Sequence, residues 1–106
     1  MSREERIAKN EVLFREVNER VLEVHKGDRG ERVSFLCECG RDDCTETIAL
    51  SVAEYEEIRA DPTYFAVKPG HEIGEVEAPV RRDSRYVVVR KHPTEATIAL
   101  ETDPRS

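Results

Sequence analysis

The sequence predicts an α+β fold in which a long N-terminal helix packs on a small, mostly antiparallel sheet. Apolar residues recur at helical spacing near the start of the chain, whereas several later stretches alternate apolar and polar residues as half-buried strands do. In addition, all three cysteines lie in one short segment between two of these strand patterns. That segment predicts a hairpin loop that a bound metal ion would cross-link and so stabilise.

Length and composition predict that residues 1–106 form a single small domain. The apolar fraction of 38% is low and the charged fraction of 38% is high, but the apolar residues are periodically placed, which favours a folded domain over a disordered tail. A domain of this size buries roughly 60 to 70% of the surface that its unfolded chain exposes, so a staple would add to a modest stability.

The charge distribution argues against a nucleic-acid partner. The net charge is −6, and phosphate binding requires a basic stripe, so Arg81, Arg82 and Arg85 are interpreted as a solvated strand edge. The N-terminal residues lack an apolar signal core, and no stretch reaches the roughly 20 apolar residues of a membrane span. We therefore expect a cytoplasmic protein that does not engage a membrane and whose thiols stay reduced.

Residues 3–25 are predicted to form an amphipathic helix that Ser2 caps. Its apolar stripe, at spacings of seven, three, four and three, comprises Ile7, Phe14, Val17, Val21 and Val24. Glu11 and Arg15 are assigned to other faces. We interpret the stripe as the face that packs on the core, and the alternative is a detachable helix that binds a partner.

Residues 31–37 and 45–50 alternate and predict two strands of a hairpin with the cysteine loop at its tip. The run from Ser51 to Glu54 predicts a capping box that opens a short helix to Ala60, with Val52, Tyr55 and Ile58 buried.

The second half of the chain predicts two further strands and a last helix. Residues 64–67 and 85–91 are predicted as strands, with a loop of at most one helical turn over residues 71–80. Thr94 is predicted to cap a final helix over residues 95–101.

The cysteines predict a zinc site. A structural zinc ion takes four sulfur or nitrogen ligands in a tetrahedron. Cys37 and Cys39 are two positions apart, so on an extended strand both side chains leave the same face. Gly40 allows the bend that follows, and Cys44 returns after four more residues.

One histidine is expected to complete the site. His71 follows the Pro69–Gly70 turn, which can aim its side chain at the hairpin tip, and Glu72 is positioned to orient the imidazole. His25, at a helix end, and His92, before a proline, are interpreted as exposed. The predicted metal ligands are therefore Cys37, Cys39, Cys44 and His71.

Two other uses of the cysteines remain open. An iron–sulfur cluster can take mixed cysteine and histidine ligands, and the pattern is similar to small iron–sulfur proteins with a Cys-Asp-Gly-Ser-His signature, although no such signature follows Cys44. Alternatively, Cys37 and Cys39 form a redox-active disulfide, with Arg41 favouring the thiolates. Catalytic zinc is disfavoured because four protein ligands leave no place for water.

The segments Cys-Glu-Cys-Gly-Arg-Asp-Asp-Cys and Pro-Gly-His-Glu resemble those of a family of small uncharacterised actinobacterial proteins. The likeness extends to residues 10–20, 54–56 and 101–105. The resemblance implies one compact unit with Cys37, Cys39, Cys44 and His71 as the shared site. It implies no activity.

These observations predict a non-enzymatic, zinc-stabilised binding or adaptor protein. Its expected partner is another protein, bound through the first helix or the acidic segment 72–77. No paired carboxylates, nucleophile–base arrangement or phosphate loop predicts an enzyme. The alternative is a thiol-redox or metal-sensing regulatory protein in which Cys37, Cys39 and Cys44 themselves respond.

Overall fold

The computed structural model describes residues 3–25, 27, 30–41, 43–74 and 77–91, apart from the side chain of Glu4. In chain order the elements are α1 (Arg3–Val24), β1 (Arg32–Leu36), β2 (Thr47–Ser51), α2 (Val52–Arg59), β3 (Tyr64–Val67), β4 (Glu77–Arg82) and β5 (Val87–Lys91). The predicted α+β fold with a long first helix is confirmed. The predicted Ser2 cap, Thr94-capped helix and His92 lie outside the described residues.

The strands form two small antiparallel sheets instead of the single sheet that was predicted. In the first sheet β1 pairs with β2, and Phe35 lies opposite Ile48. In the second sheet β5 lies between β3 and β4. The predicted hairpin of β1 and β2 is therefore confirmed, with the cysteine loop at its tip.

Strand β4 corrects the prediction of a loop over residues 71–80. Only its first residue, Glu77, is buried, and the others are exposed. Because β4 is an edge strand with little buried surface, its side chains show no apolar alternation that a sequence pattern could reveal. Pro79 is tolerated there because edge strands leave some N–H groups unpaired. The exposed Arg81 and Arg82 belong to this edge, as predicted.

The buried face of α1 differs from the predicted stripe. It consists of Ile7, Ala8, Glu11, Val12, Arg15, Asn18 and Leu22. Val17 and Val24 instead lie outward, 40% and 79% exposed. The prediction was right for Ile7, which is buried, and for Val21, which packs against the core. It was wrong for Val17 and Val24, because polar residues in this face have buried partners: Arg15 Nη1 donates to the carbonyl of Pro62 at 2.7 Å, and its guanidinium lies over the Phe65 ring.

A buried charge cluster joins α1 to the second sheet. The Lys91 ammonium donates to Glu11 Oε2 and, at 2.6 Å, to Glu77 Oε1. All three side chains are at most 1% exposed. Burial is the main cause that raises the pKa of Glu77, to about 8, which reduces the negative charge of the cluster near neutral pH. The first helix is thus fixed to the end of β5 by charge-assisted hydrogen bonds.

The short helix α2 begins as predicted. Ser51 Oγ accepts from the Glu54 N–H at 3.1 Å, and Glu54 Oε1 accepts from the Ser51 N–H at 2.9 Å, which completes the capping box. Val52, Tyr55 and Ile58 are buried, also as predicted. The Tyr55 ring stacks on Phe35 with centroids 4.5 Å apart, so α2 covers the first sheet.

Within the described part of the chain, no helix combines the length and apolarity that crossing a membrane requires.

Replacing Lys91 with alanine is expected to destabilise the fold by about 3–5 kcal/mol, since it leaves the buried carboxyl groups of Glu11 and Glu77 without their hydrogen-bonding cation. Urea denaturation of the variant measures the loss. The neighbouring Arg90→Ala removes an exposed cation that contacts Tyr64 and is expected to cost less than about 1 kcal/mol. An equal loss for the two variants would contradict the stabilising role of the cluster.

Glu54 predicts an acid-dependent contribution to stability. Arg85 donates to both oxygens of Glu54, at 3.1 and 2.7 Å, and these hydrogen bonds are the main cause that lowers the pKa of Glu54 from 4.5 to about 2. A lowered carboxyl pKa stabilises the fold above the unfolded value, and that contribution is lost as the pH falls from 4.5 towards 2.

Glu54→Gln keeps a residue that can close the capping box but removes the charge. Its melting temperature should lie below that of the unsubstituted protein at pH 7, and the gap should close between pH 4.5 and 2. A gap that stays constant over this range would show that the ion pair contributes nothing.

Candidate metal centre

Four potential ligands meet at the tip of the β1–β2 hairpin. One ligand atom each from Cys37, Cys39, Cys44 and His71 lies within 4.8 Å of all the others. Three of these residues come from the hairpin loop, and His71 comes from the turn after β3. This group can hold a metal ion. The structure thus brings together all four residues that the sequence singled out.

Two of the ligand–ligand distances match those around a single tetrahedral ion. The His71 Nδ1 atom lies 3.6 Å from the sulfur of Cys37 and 3.6 Å from the sulfur of Cys44. In a tetrahedron with a metal–sulfur bond of about 2.3 Å and a metal–nitrogen bond of 2.0 to 2.1 Å, the sulfur–nitrogen edge is about 3.6 Å. An ion can therefore enter with little change in these positions.

The hairpin ladder and β3 place the first two cysteines. The Cys37 N–H donates to the carbonyl of Glu46 at 3.0 Å and so extends the pairing of β1 and β2. One residue later, the Glu38 N–H donates to the carbonyl of Ala66 in β3 at 2.8 Å. The segment is therefore held from both sides while it is still extended, and the thiols of Cys37 and Cys39 leave towards the same region.

Gly40 turns the chain immediately after this segment and lies directly against α1. Its φ is +78°, and a Cβ atom there would lie 2.5 Å from the carbonyl oxygen of Ile7. The Gly40 carbonyl accepts from Asn10 Nδ2 at 3.0 Å. Only glycine combines this backbone angle with so close an approach to a helix, and the contact fixes where Cys39 lies relative to α1.

A second turn delivers His71. The His71 N–H donates to the carbonyl of Lys68 at 2.9 Å, and Gly70 has a φ of +89°. Proline followed by a glycine with positive φ is the arrangement of a type II turn. Glu72 does not serve as predicted: its Oε1 accepts from the Gly70 N–H at 2.7 Å and its Oε2 from Arg82 at 2.9 Å. It stabilises the turn rather than the ring.

Each sulfur has a backbone N–H nearby. Lys68 donates to the Cys37 sulfur at 3.1 Å. The N–H of Arg41 lowers the pKa of Cys39, and the N–H of Glu46 acts in the same direction on Cys44. Donors aimed at sulfur favour the thiolate, which is the form that binds a metal.

Without a cation the thiols share protons. The pKa of Cys39 is lowered to about 5, first because its thiolate accepts from the Cys37 thiol. The same hydrogen bond is the main cause that raises the pKa of Cys37, and burial adds to it. Burial is the first cause that raises the pKa of Cys44. A divalent cation would replace these protons, so metal binding is expected to release them.

The site is closed on one side and open on the other. Cys37 and Cys39 are buried, whereas Cys44 and His71 are half-buried. Beside the latter two runs a cleft lined by Arg41, Asp43, Thr45, Glu46 and Gly70. The exposed Lys68–Glu46 ion pair, at 2.7 Å, ties the two ligand-bearing segments together at this rim.

Sequence reasoning missed several residues that support the site. The Lys68 N–H leaves no sequence signal, because a backbone donor does not depend on residue type. Glu38 was not predicted to support the site, yet it is 0% exposed and hydrogen-bonded to three elements. The sequence feature that could have indicated this supporting role is the position of a carboxylate between two cysteines of a predicted strand. Of the other histidines, His25 lies beyond the end of α1 and outside the cluster.

Gly40→Ala is expected to destabilise the fold by clearly more than Gly30→Ala. Both glycines have a positive φ, but nothing lies within 4 Å of a Cβ atom at Gly30. Gly30→Ala therefore reports the backbone cost alone, about 1–2 kcal/mol, and Gly40→Ala adds the clash with α1. Thermal melts of the two variants measure the difference. Equal melting temperatures would show that the loop does not need its close contact with the helix.

No family model matches this chain, and neither does any curated protein or solved structure. The resemblance to small actinobacterial proteins therefore stays a prediction.

Proposed function

We propose that the chain is a non-enzymatic binding domain in which a structural zinc ion, held by Cys37, Cys39, Cys44 and His71, fixes the hairpin tip to the turn after β3. The observation that carries the proposal is the meeting of four suitable donors from two separate chain segments within 4.8 Å. Metal affinity in such a site contributes directly to folding free energy.

The geometry favours one ion over an iron–sulfur cluster. A two-iron cluster divides its protein ligands into pairs on separate irons, whereas here His71 Nδ1 is equally close to two sulfurs, at 3.6 Å. Three thiolates and one imidazole are a common structural zinc set. Because they fill the tetrahedron, no position remains for a reactive water, which favours a structural over a catalytic role.

The proposed partner is another protein, and α1 offers the surface. Leu13, Val17 and Val24 are 54%, 40% and 79% exposed, and spacings of four and seven place them on one side of the helix. Apolar side chains gathered on one outward helix face are typical of interaction surfaces. The inward face of the same helix packs in the interior and includes the polar residues Glu11, Arg15 and Asn18.

A thiol-based sensor is the second candidate, favoured by one observation: Cys44 is half-buried beside an open cleft. A sensor needs a cysteine that a small oxidant or electrophile can reach. Thiol titration of the zinc-loaded protein separates the two functions. A structural site should react slowly until a chelator is added, whereas a sensor should react at once.

Elemental analysis of the purified protein tests the zinc site, and the proposal expects one zinc per chain. His71→Ala should lose zinc to a chelator faster than the unsubstituted protein, and Cys39→Ser should both lose zinc and melt at a much lower temperature. His25→Ala is the matched control and should retain the metal. A purified protein with no stoichiometric metal and a melt unaffected by chelator would overturn the proposal.

A further inference from the structure

Glu38 is a buried carboxylate placed between two of the proposed ligands. It is 0% exposed and accepts three hydrogen bonds. Its Oε1 accepts from the N–H of Ala66 at 2.9 Å. Its Oε2 accepts from Asn18 Nδ2 at 2.9 Å and from the Tyr55 hydroxyl at 2.6 Å. One side chain therefore links the cysteine segment to α1, α2 and β3.

The hydrogen-bond donors around Glu38 require that both of its side-chain oxygens act as acceptors. The Ala66 N–H can only donate. The orientation of the Asn18 amide is fixed because its Oδ1 accepts from the Leu36 N–H at 2.8 Å, while its Nδ2 also reaches the Leu36 carbonyl at 2.9 Å. A glutamine at position 38 would turn its own NH2 group towards a donor in either orientation. Only a carboxylate satisfies all three partners.

The main chain of Glu38 makes a fourth hydrogen bond. Glu38 N–H donates to the carbonyl of Ala66 at 2.8 Å, so the backbone and the side chain of Glu38 together satisfy both polar groups of Ala66. Two residues further along, the Lys68 N–H reaches the Cys37 sulfur at 3.1 Å. The contact of Glu38 with Ala66 in β3 therefore sets where the next residue after the strand, Lys68, presents its N–H to Cys37.

We propose that Glu38 is a positioning residue for the metal centre: its three hydrogen bonds hold Cys37 and Cys39 at the spacing and direction that the ion requires. This inference rests on the proposed zinc site. It adds that retention of the ion depends on a buried carboxylate that does not touch it. Groups that orient metal ligands commonly change metal affinity by about 10- to 100-fold when they are removed.

The test compares Glu38→Gln with Ile58→Ala. Ile58 is buried in the core on α2 and packs in the same cluster as Tyr55 and Ala66, but its side chain makes no hydrogen bond. Its truncation therefore lowers stability while all three donors to Glu38 remain present. Two readouts are followed: the rate at which zinc passes to a chelator, and the absorption spectrum of the cobalt-substituted protein, which reports the ligand geometry. Denaturant or temperature is adjusted so that both variants are compared at equal stability.

Glu38→Gln should release zinc about 10- to 100-fold faster and shift the cobalt spectrum, whereas Ile58→Ala should leave both unchanged. Equal release rates and an unchanged spectrum in Glu38→Gln would overturn the positioning role. Tyr55→Phe removes one of the three donors while conserving volume. Tyr55→Phe should show faster zinc release and a shifted cobalt spectrum, both to a smaller extent than Glu38→Gln. If Glu38→Gln does not fold, the result for Tyr55→Phe decides whether Glu38 positions the ligands.

The metal content of the unsubstituted protein separates the two proposals. If it carries no zinc, the proposed function and the role of Glu38 both fail. If it carries zinc but Glu38→Gln behaves as Ile58→Ala does, only the positioning role fails.

Discussion

The structure depends on how the Cys37–Gly40 segment is held between the two sheets and the first helix. Three of its four residues have a separate fixed contact: Cys37 with Glu46, Glu38 with Ala66 and Gly40 with Asn10. Because a backbone so constrained has few alternative conformations, these contacts restrict where the Cys37 and Cys39 sulfurs can lie. Preorganisation of this kind reduces the entropy that binding would otherwise cost.

Bonded polar side chains explain how a chain with modest apolar content can form an ordered interior. Several positions that aliphatic residues fill in most small domains are occupied here by buried polar side chains, namely Glu11, Arg15, Asn18, Glu38, Arg59, Glu77 and Lys91. A buried polar group is costly unless it is bonded. Because the hydrogen-bond partners lie on other elements, these residues specify which elements meet and in what register. Apolar contacts alone specify this less well.

The two faces of α1 therefore differ in what they contact. The inward face is bonded to the cysteine segment and to β5, and these bonds explain why it includes polar residues beside its apolar ones. The outward face carries Leu13, Val17 and Val24, whose side chains are largely exposed. A helix fixed by polar contacts on one side is free to present apolar surface on the other. A metal centre that stabilises the hairpin beneath this helix would keep that surface in place.

The sequence by itself determined the α+β class, the capping box at Ser51 and the identity of the four clustered residues. Each of these is encoded locally: by periodicity, by a cap signature, or by cysteines and a Pro-Gly-His turn whose chemistry is unusual. Only the tertiary structure decided that Glu11 and Arg15 face inward while Val17 and Val24 face outward, that the strands form two sheets, and that Glu38 is buried. Those outcomes depend on partners such as Lys91, Pro62 and Ala66, which lie far away along the chain. A local pattern assigns polar residues to solvent, and only contacts between distant segments can reverse that assignment.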